Sequence, residues 1–217
     1  MSVQGSLGLR ERKKADTRRA LSDAALKLAF EHGVDDVTRE AIANLAGVSL
    51  RTFNNYFNGK YEALAYRQAE RLRRSIVVLR GRPSDEPLWT SITEAVLQPL
   101  EEDFGEATSA EDRVPTRAEL VEIRKLLMRP EIRNAMSREL FDEWVDVVAE
   151  RSGTDPARDM YPRLVSAVVR AVGDAAMDTY ATADPPVAVT TLLREGLAAV
   201  AAGLPEPTKR TDEKNHG

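Results

Sequence analysis

Apolar residues recur along most of this chain at the three- and four-residue spacing of one helix face, and no segment alternates as a strand does. In the first third of the chain, this pattern predicts helices over Leu9–His32, after Thr38, after Ser49 and from Lys60 to about Arg80. Gly33 and Gly47 follow the first and second of these segments, where a positive φ is useful. The pattern therefore predicts an all-α fold.

In the rest of the chain, residues 83–204, the spacing of apolar residues predicts about five further helices. Stripes near 86–104, near 116–128 and from Pro130 onward carry bulky apolar residues. The segments 156–181 and 186–203 instead carry small residues at helical spacing, among them Ala171 and Ala175. Simple core packing explains most of these stripes. The polar tail, residues 205–217, is predicted to be disordered.

Residues 38–57 have the pattern of two short helices joined by a glycine turn. Thr38 and Ser49 are residue types that cap helix N-termini. Ile42, Leu45 and Ala46 are predicted to face inward, and Phe53 and Phe57 lie one helical turn apart as core anchors. This is the supersecondary pattern of a DNA-binding helix-turn-helix.

The charge distribution supports a nucleic-acid partner for the N-terminal part. The net charge of the chain is −4, but residues 1–82 hold 16 Lys and Arg against 9 Asp and Glu, whereas the remainder holds 15 against 26. A basic N-terminal part and an acidic remainder meet near Gly81–Ser84, which is a plausible domain boundary.

The composition and motifs of the chain argue against several other classes of protein. With 42% hydrophobic and 30% charged residues, the chain is predicted to be globular and soluble. It has no cysteine, no apolar run of about 18 residues and no apolar segment behind its N-terminus, so a cytoplasmic protein without a membrane span is expected. Neither histidine has metal or triad spacing, and no glycine-rich phosphate loop occurs, so we expect neither an enzyme nor a cofactor.

The stretch TREAIANLAGVSLRTFNNYFNGKYEAL, residues 38–64, resembles the helix-turn-helix of the tetracycline-repressor (TetR) family of bacterial regulators. The matching positions are Thr38, Ile42, Ala43, Ala46, Gly47, Val48, Ser49, Thr52, Tyr56, Phe57, Lys60 and Leu64. Arg51 stands where the family usually has glycine and Asn54 where it often has tyrosine, which affects the expected operator sequence and not the fold. The variant TFNNYF also loosely resembles actinobacterial members associated with acyl-CoA-like ligands.

Arg51 and Asn54 are the predicted base readers, because a guanidinium can bridge guanine O6 and N7 and an amide can pair with adenine. Thr38, Thr52 and Lys60 are predicted phosphate contacts, as is Tyr56. The full predicted DNA-binding set is Thr38, Arg39, Ser49, Leu50, Arg51, Thr52, Asn54, Asn55, Tyr56 and Lys60. The basic residues Arg10, Arg12, Lys13 and Lys14 form either an arm on the DNA or a solubilising tail.

The resemblance implies a homodimer on a palindromic double-stranded operator, with the last two helices forming the dimer interface and the preceding helices enclosing a ligand cavity. Predicted cavity residues are Trp89, Phe104, Met128, Phe141, Trp144 and Tyr161, with Met160 nearby. They suit a largely apolar effector with a polar end near Arg124 or Arg163. The implied division is residues 1–59 for the arm and DNA-binding domain, 60–82 for a linking helix, and 83–204 for ligand binding and dimerisation.

We therefore expect a TetR-type regulator, most simply a repressor. One alternative is a helix-turn-helix regulator without a small-molecule effector. The other is a helical lipid-binding carrier or enzyme, against which the basic helix-turn-helix argues.

Overall fold

The computed structural model describes residues 3–105, 122, 125–126, 129–135, 138–184 and 187–206. Every regular element in these ranges is an α-helix, which confirms the predicted fold class. The helices are α1 (Val3–His32), α2 (Arg39–Leu45), α3 (Leu50–Tyr56), α4 (Lys60–Gly81), α5 (Leu88–Gly105), α6 (Pro130–Ala135), α7 (Arg138–Ser152), α8 (Tyr161–Thr182) and α9 (Val189–Ala201). None of them is long and apolar enough to cross a membrane.

The first four helices surround one apolar cluster, which we call the first core. Its buried members include Leu21, Ala25, Val34, Ile42, Ala43, Phe53, Phe57, Ala63 and Leu64. Gly33 ends α1 with φ +84°, and Gly47 joins α2 to α3 with φ +69°. Only glycine adopts such angles without steric cost, so these two residues allow three helices to fold back on one another.

Helix α4 connects this unit to the rest of the molecule. Near its N-terminus, Ala63 and Leu64 belong to the first core, and the Ala63 carbonyl accepts a 2.7 Å hydrogen bond from the buried Ser22 hydroxyl of α1. Near its C-terminus, Ile76 and Leu79 belong to a second core. Helix α4 is therefore buried in both cores.

The second core lies among α4, α5, α7, α8 and α9. Its buried members include Ile76, Leu79, Ile92, Leu140, Trp144, Val147, Val148, Val165 and Leu197. Helices α8 and α9 approach closely at Gly196, where an added Cβ would lie 2.7 Å from Cγ1 of Val172. The smallest residue is therefore needed at this helix crossing.

The far end of α4 is held by Arg151 of α7. Its guanidinium donates to the carbonyl oxygens of Arg82 and Pro83 at 3.0 and 2.8 Å and to the hydroxyl of Ser91 at 2.7 Å. The same Ser91 hydroxyl donates to the carboxylate of Glu86 at 2.6 Å. This network joins the C-terminus of α4 to the start of α5.

Several elements differ from expectation. Helix α1 begins at Val3 and not at Leu9. Leu45 is 45% exposed although it was predicted to face inward, because α2 ends there and the chain turns away at Gly47. The helix predicted near 116–128 falls largely outside the described residues, as does the tail from 207. The helix predicted from Pro130 onward is described as α6 and α7, and residues 136–137 between them lie outside the described residues.

Candidate nucleic-acid interface and effector domain

Local hydrogen bonds set the start of both short helices. The Thr38 hydroxyl oxygen accepts from the amide of Ala41 at 3.1 Å, and the Ser49 hydroxyl oxygen accepts from the amide of Thr52 at 3.1 Å. These bonds satisfy amides that a helix N-terminus leaves free, which confirms the predicted caps. The hydroxyls of Ser49 and Thr52 are also 2.9 Å apart, so the beginning of α3 is a compact polar unit.

Two phenylalanines anchor α3 to the first core. Phe53 is fully buried and Phe57 is 3% exposed, and their ring centroids lie 5.9 Å apart. Phe57 also meets Tyr66 of α4 edge to face, with centroids 5.6 Å apart. The prediction that both phenylalanines are core anchors is confirmed. They fix which side of α3 faces solvent.

The solvent side of α3 carries the predicted base readers. Arg51, Asn54 and Asn55 are exposed, and no described residue hydrogen-bonds their side chains. Leu50, the first residue of α3, is 36% exposed. The guanidinium and amide groups are therefore available for hydrogen bonds to base edges.

Tyr56 and Arg39 lie at the border of this surface. Tyr56, at the end of α3, is half-buried, and Arg39, at the start of α2, is exposed. The guanidinium carbon of Arg18 lies 6.0 Å from the centroid of the Tyr56 ring. Sequence reasoning missed Arg18, because a contact between α1 and the end of α3 has no local signal.

Lys60 has partners within the protein. Its ammonium group donates to the carbonyl oxygens of Val34 and Asp35, both at 3.0 Å. An ammonium group has three donors, so one remains for a phosphate. The predicted phosphate contact of Lys60 stays a prediction, and the structure adds that Lys60 holds the loop between α1 and α2.

The basic N-terminal residues lie on α1. Arg12, Lys13 and Lys14 are exposed and helical. The predicted helix over these residues is confirmed, and whether they form an arm on the DNA or a solubilising surface stays a prediction.

The predicted cavity stays a prediction, and the structure brings two of its residues, Trp89 and Trp144, together in the second core. Trp144 is 4% exposed within this core. Tyr161 and Met160 are 43% and 73% exposed where α8 begins, and their place at a cavity stays a prediction. Trp89 and Phe141 are half-buried. The side chains of Phe104 and Met128 lie outside the described residues.

Two surface pockets of the described residues lie on other elements. One, of about 390 Å³, is bordered by Leu26 and Phe30 of α1, and the other, of about 150 Å³, lies between α1 and α4 beside Tyr66. Arg163, one of the two arginines expected at a polar ligand end, lies 3.8 Å from Asp142 in an exposed ion pair. Arg124, the other, lies outside the described residues. Among the residues that the structure does describe, no group of three His, Cys, Asp or Glu is placed to hold a metal ion.

One face of α8 exposes small and apolar side chains. Leu164 is 47% exposed, and Ala171 and Ala175 are exposed further along the same helix. Their spacing of seven and four residues places them in one stripe. The predicted small-residue stripe is thus on the surface of the single chain.

Two family models match this chain. One, described as bacterial regulatory proteins of the tetR family, matches residues 21–65, which include α2 and α3. The other, described as the MftR C-terminal domain, matches residues 86–205. Together they cover the helix-turn-helix and most of the remaining helices.

Comparisons with individual proteins agree with these matches. The chain is 31% identical over 176 residues to the HTH-type transcriptional regulator TcmR of Streptomyces glaucescens, covering 79% of this chain and 76% of TcmR. Its fold is similar to that of Thermus thermophilus FadR, a TetR-family transcriptional repressor solved with lauroyl-CoA (TM-score 0.52, 19% identity, 89% and 97% of the two chains). It is also similar to SmeT of Stenotrophomonas maltophilia solved with triclosan (TM-score 0.53, 19% identity, 89% and 99%).

Proposed function

Because this chain belongs to the TetR family of bacterial regulatory proteins, we propose that it binds a palindromic operator as a homodimer, represses transcription there and leaves the DNA when a largely apolar ligand binds. The observation that carries the proposal is the orientation of α3. Phe53 is buried beneath it, while Arg51 and Asn54 are exposed on its outer side.

In this proposal, residues 1–59 bind DNA, residues 60–82 link the domains, and residues 83–204 bind ligand and form the dimer. The protein acts in the cytoplasm on double-stranded DNA and has no enzymatic activity. Arg51 and Asn54 read bases, with Leu50 and Asn55 beside them. The remaining predicted residues contact phosphates and position the helix without reading sequence: Thr38, Arg39, Ser49, Thr52, Tyr56 and Lys60.

A gel-shift experiment with the promoter region beside the protein's own gene tests DNA binding directly. We expect a shifted complex that unlabelled promoter DNA displaces and shuffled DNA of equal composition does not. Equal displacement by both competitors would contradict sequence-specific binding.

Dimerisation is supported by the exposed face of α8. One small helix-turn-helix reads only a few base pairs, so a twofold arrangement with half-sites about one helical turn or more apart is needed for useful specificity. The stripe of Leu164, Ala171 and Ala175 allows close approach of a second copy.

Arginine substitutions on this face test the dimer. Ala171→Arg or Ala175→Arg should lower both the dimer fraction in sedimentation and operator affinity, because two copies of the charge would be buried at the interface. Ala157→Arg, at an exposed position outside α8, is the matched control and should change neither. Tight operator binding by a wild-type monomer would contradict the dimer.

The effector proposal is supported by the second core and by its links to α4. Trp89 and Phe141 lie half-buried on α5 and α7. Of the ligands bound by the similar proteins, lauroyl-CoA has an apolar acyl chain and triclosan is largely apolar. Asp103 of α5 is 2.9 Å from Arg71 of α4 and also hydrogen-bonds Arg74. A ligand that moves α5 would therefore move α4. To shift the ratio of the DNA-releasing to the DNA-binding conformation from 1:99 to 99:1, the ligand must bind the releasing conformation more tightly by about 5.5 kcal/mol.

An effector-free regulator is the second candidate, and the packing of Trp144 favours it. The two candidates differ in a titration of fatty acyl-CoAs, fatty acids and hydrophobic drugs against the operator complex. The chain has two tryptophans, so Trp89→Phe and Trp144→Phe variants assign any fluorescence change. Operator release with a change in the Trp89 signal would support the effector. No fluorescence change and no release would favour the effector-free account.

A further inference from the structure

The loop between α1 and α2 is held by residues from two other parts of the chain. On one side, Lys60 at the start of α4 donates to the carbonyl oxygens of Val34 and Asp35. On the other side, Arg129, just before α6, donates through Nη2 to Oδ2 of Asp35 at 2.7 Å. This hydrogen bond lowers the pKa of Asp35. A residue from the C-terminal part of the chain thus reaches the DNA-binding unit directly.

Apolar packing on both sides of Arg129 supports this contact. Leu126 and Ile132 are 4% and 2% exposed, and both belong to the first core together with Val34 and Phe57. The Arg129 side chain is itself only 27% exposed. The backbone around Arg129 is therefore fixed against the DNA-binding unit, and the position of its guanidinium is not that of a free surface side chain.

The loop leads directly into the DNA-contacting part of α2. Asp35 precedes Thr38, the residue that caps α2, by three positions, and Arg39 follows the cap. A displacement of Asp35 therefore moves the cap, and with it the two residues for which we propose phosphate contacts. Because α2 packs against α3, the orientation of the base-reading helix changes as well.

We propose that Arg129 and Asp35 are positioning residues, through which the C-terminal domain sets the orientation of the helix-turn-helix on DNA. The inference rests on the proposed operator binding. Helix α4 alone is a single connection between the domains, about which the DNA-binding unit can rotate. The segment that carries Leu126, Arg129 and Ile132 is a second connection away from that axis, and its Arg129–Asp35 pair is the part that holds the loop leading into α2.

The direction of the effect separates positioning from simple electrostatics. Removing the negative charge of Asp35 should strengthen binding to the DNA phosphates if charge alone mattered. Asp36, the next residue, is the matched control, because it is exposed and no described residue forms an ion pair or hydrogen bond with it. The Asp35 side of the ion pair is largely exposed, and an exposed ion pair contributes little to stability. Removing the pair should therefore leave the free energy of unfolding nearly unchanged.

Four full-length variants test the proposal: Asp35→Asn, Arg129→Gln, Asp36→Asn and the double exchange Asp35→Arg with Arg129→Asp. We expect each of the first two to weaken operator binding about three- to fivefold, with melting temperatures near that of the wild type. Asp36→Asn should bind as well as the wild type or slightly better. The double exchange should recover most of the affinity, because it restores an ion pair.

Amide hydrogen exchange over residues 34–41, measured without DNA, is the second readout. We expect faster exchange in Asp35→Asn and Arg129→Gln but not in Asp36→Asn. Equal behaviour of the Asp35 and Asp36 variants in both measurements would overturn the positioning role, as would failure of the double exchange to recover affinity. If the wild type binds no DNA sequence-specifically, the proposed function fails, and hydrogen exchange still decides whether the pair holds the loop.

Discussion

The guanidinium carbon of Arg18 lies 6.0 Å from the centroid of the Tyr56 ring, which joins α1 to the end of α3. Both side chains are half-buried, so the contact orders two groups suited to phosphate contact at the edge of the proposed interface.

Arg18→Ala should therefore weaken binding to operator and random DNA alike. The slope of log affinity against log salt should become shallower by about 0.9 per subunit, because one fewer phosphate is neutralised. Fluorescence anisotropy at several salt concentrations measures both quantities. Arg19→Ala removes the neighbouring charge without the ring contact, and an equal loss in both variants would contradict a specific role for Arg18.

Base reading should be confined to the exposed side of α3. Arg51→Ala or Asn54→Ala should cost about 1–3 kcal/mol at the operator and relax preference at particular base pairs, because one hydrogen-bonded pair to a base edge is lost. Arg51→Lys keeps the charge but not the planar fork, so it should lose most of the same specificity. If Arg51→Ala lowered affinity equally for operator and random DNA, Arg51 would be a phosphate contact.

The crossing of α8 and α9 should be sensitive to one added methyl group. Gly196→Ala brings a Cβ to 2.7 Å from Val172, whose branched side chain has little freedom to move. Overpacking of about 1–3 kcal/mol should outweigh a gain of about 1 kcal/mol in helix propensity and lower the free energy of unfolding. Gly173 has open space where a Cβ would lie, so Gly173→Ala should raise the free energy of unfolding, measured in urea, by about 1 kcal/mol. Stabilisation by both changes would show that the crossing is looser than the structure indicates.

Acid should weaken the network at the end of α4. Hydrogen bonds from Arg82 and Ser91 lower the pKa of Glu86 from 4.5 to about 2. A lowered pKa in the folded state gives stability that is present above pH 4.5 and is lost as the pH falls toward 2. The melting temperature of the wild type should therefore fall more steeply over this range than that of Glu86→Gln. Parallel profiles would mean that the Glu86 carboxylate is not held as described.

The helix-turn-helix could be predicted because its determinants are local. Thr38 and Ser49 accept hydrogen bonds from amides three residues ahead, and Gly47 provides the turn between the helices. The phenylalanine spacing likewise indicated which side of α3 is buried. Such contacts lie within one or two helical turns and leave a readable pattern.

Contacts between distant segments could not be predicted in the same way. Arg129 and Asp35 are far apart in sequence, and nothing near either residue indicates the other. The cavity residues stay a prediction for a related reason. An apolar stripe shows that Trp144 faces inward, but not whether a side chain or a ligand fills the opposite space. Tyr161 is apolar enough for a core, yet the helix start on which it lies is at the surface.

The central claim is that α3 reads a palindromic DNA sequence in a dimer, and selection from random duplex DNA tests it most directly. Purified protein would be used to enrich bound sequences over several rounds, with Arg51→Ala/Asn54→Ala as the matched variant. We predict that the wild type enriches an inverted repeat, and that the variant loses preference at equivalent positions in both half-sites. Enrichment of no sequence, or of the same sequence by both proteins, would contradict the account.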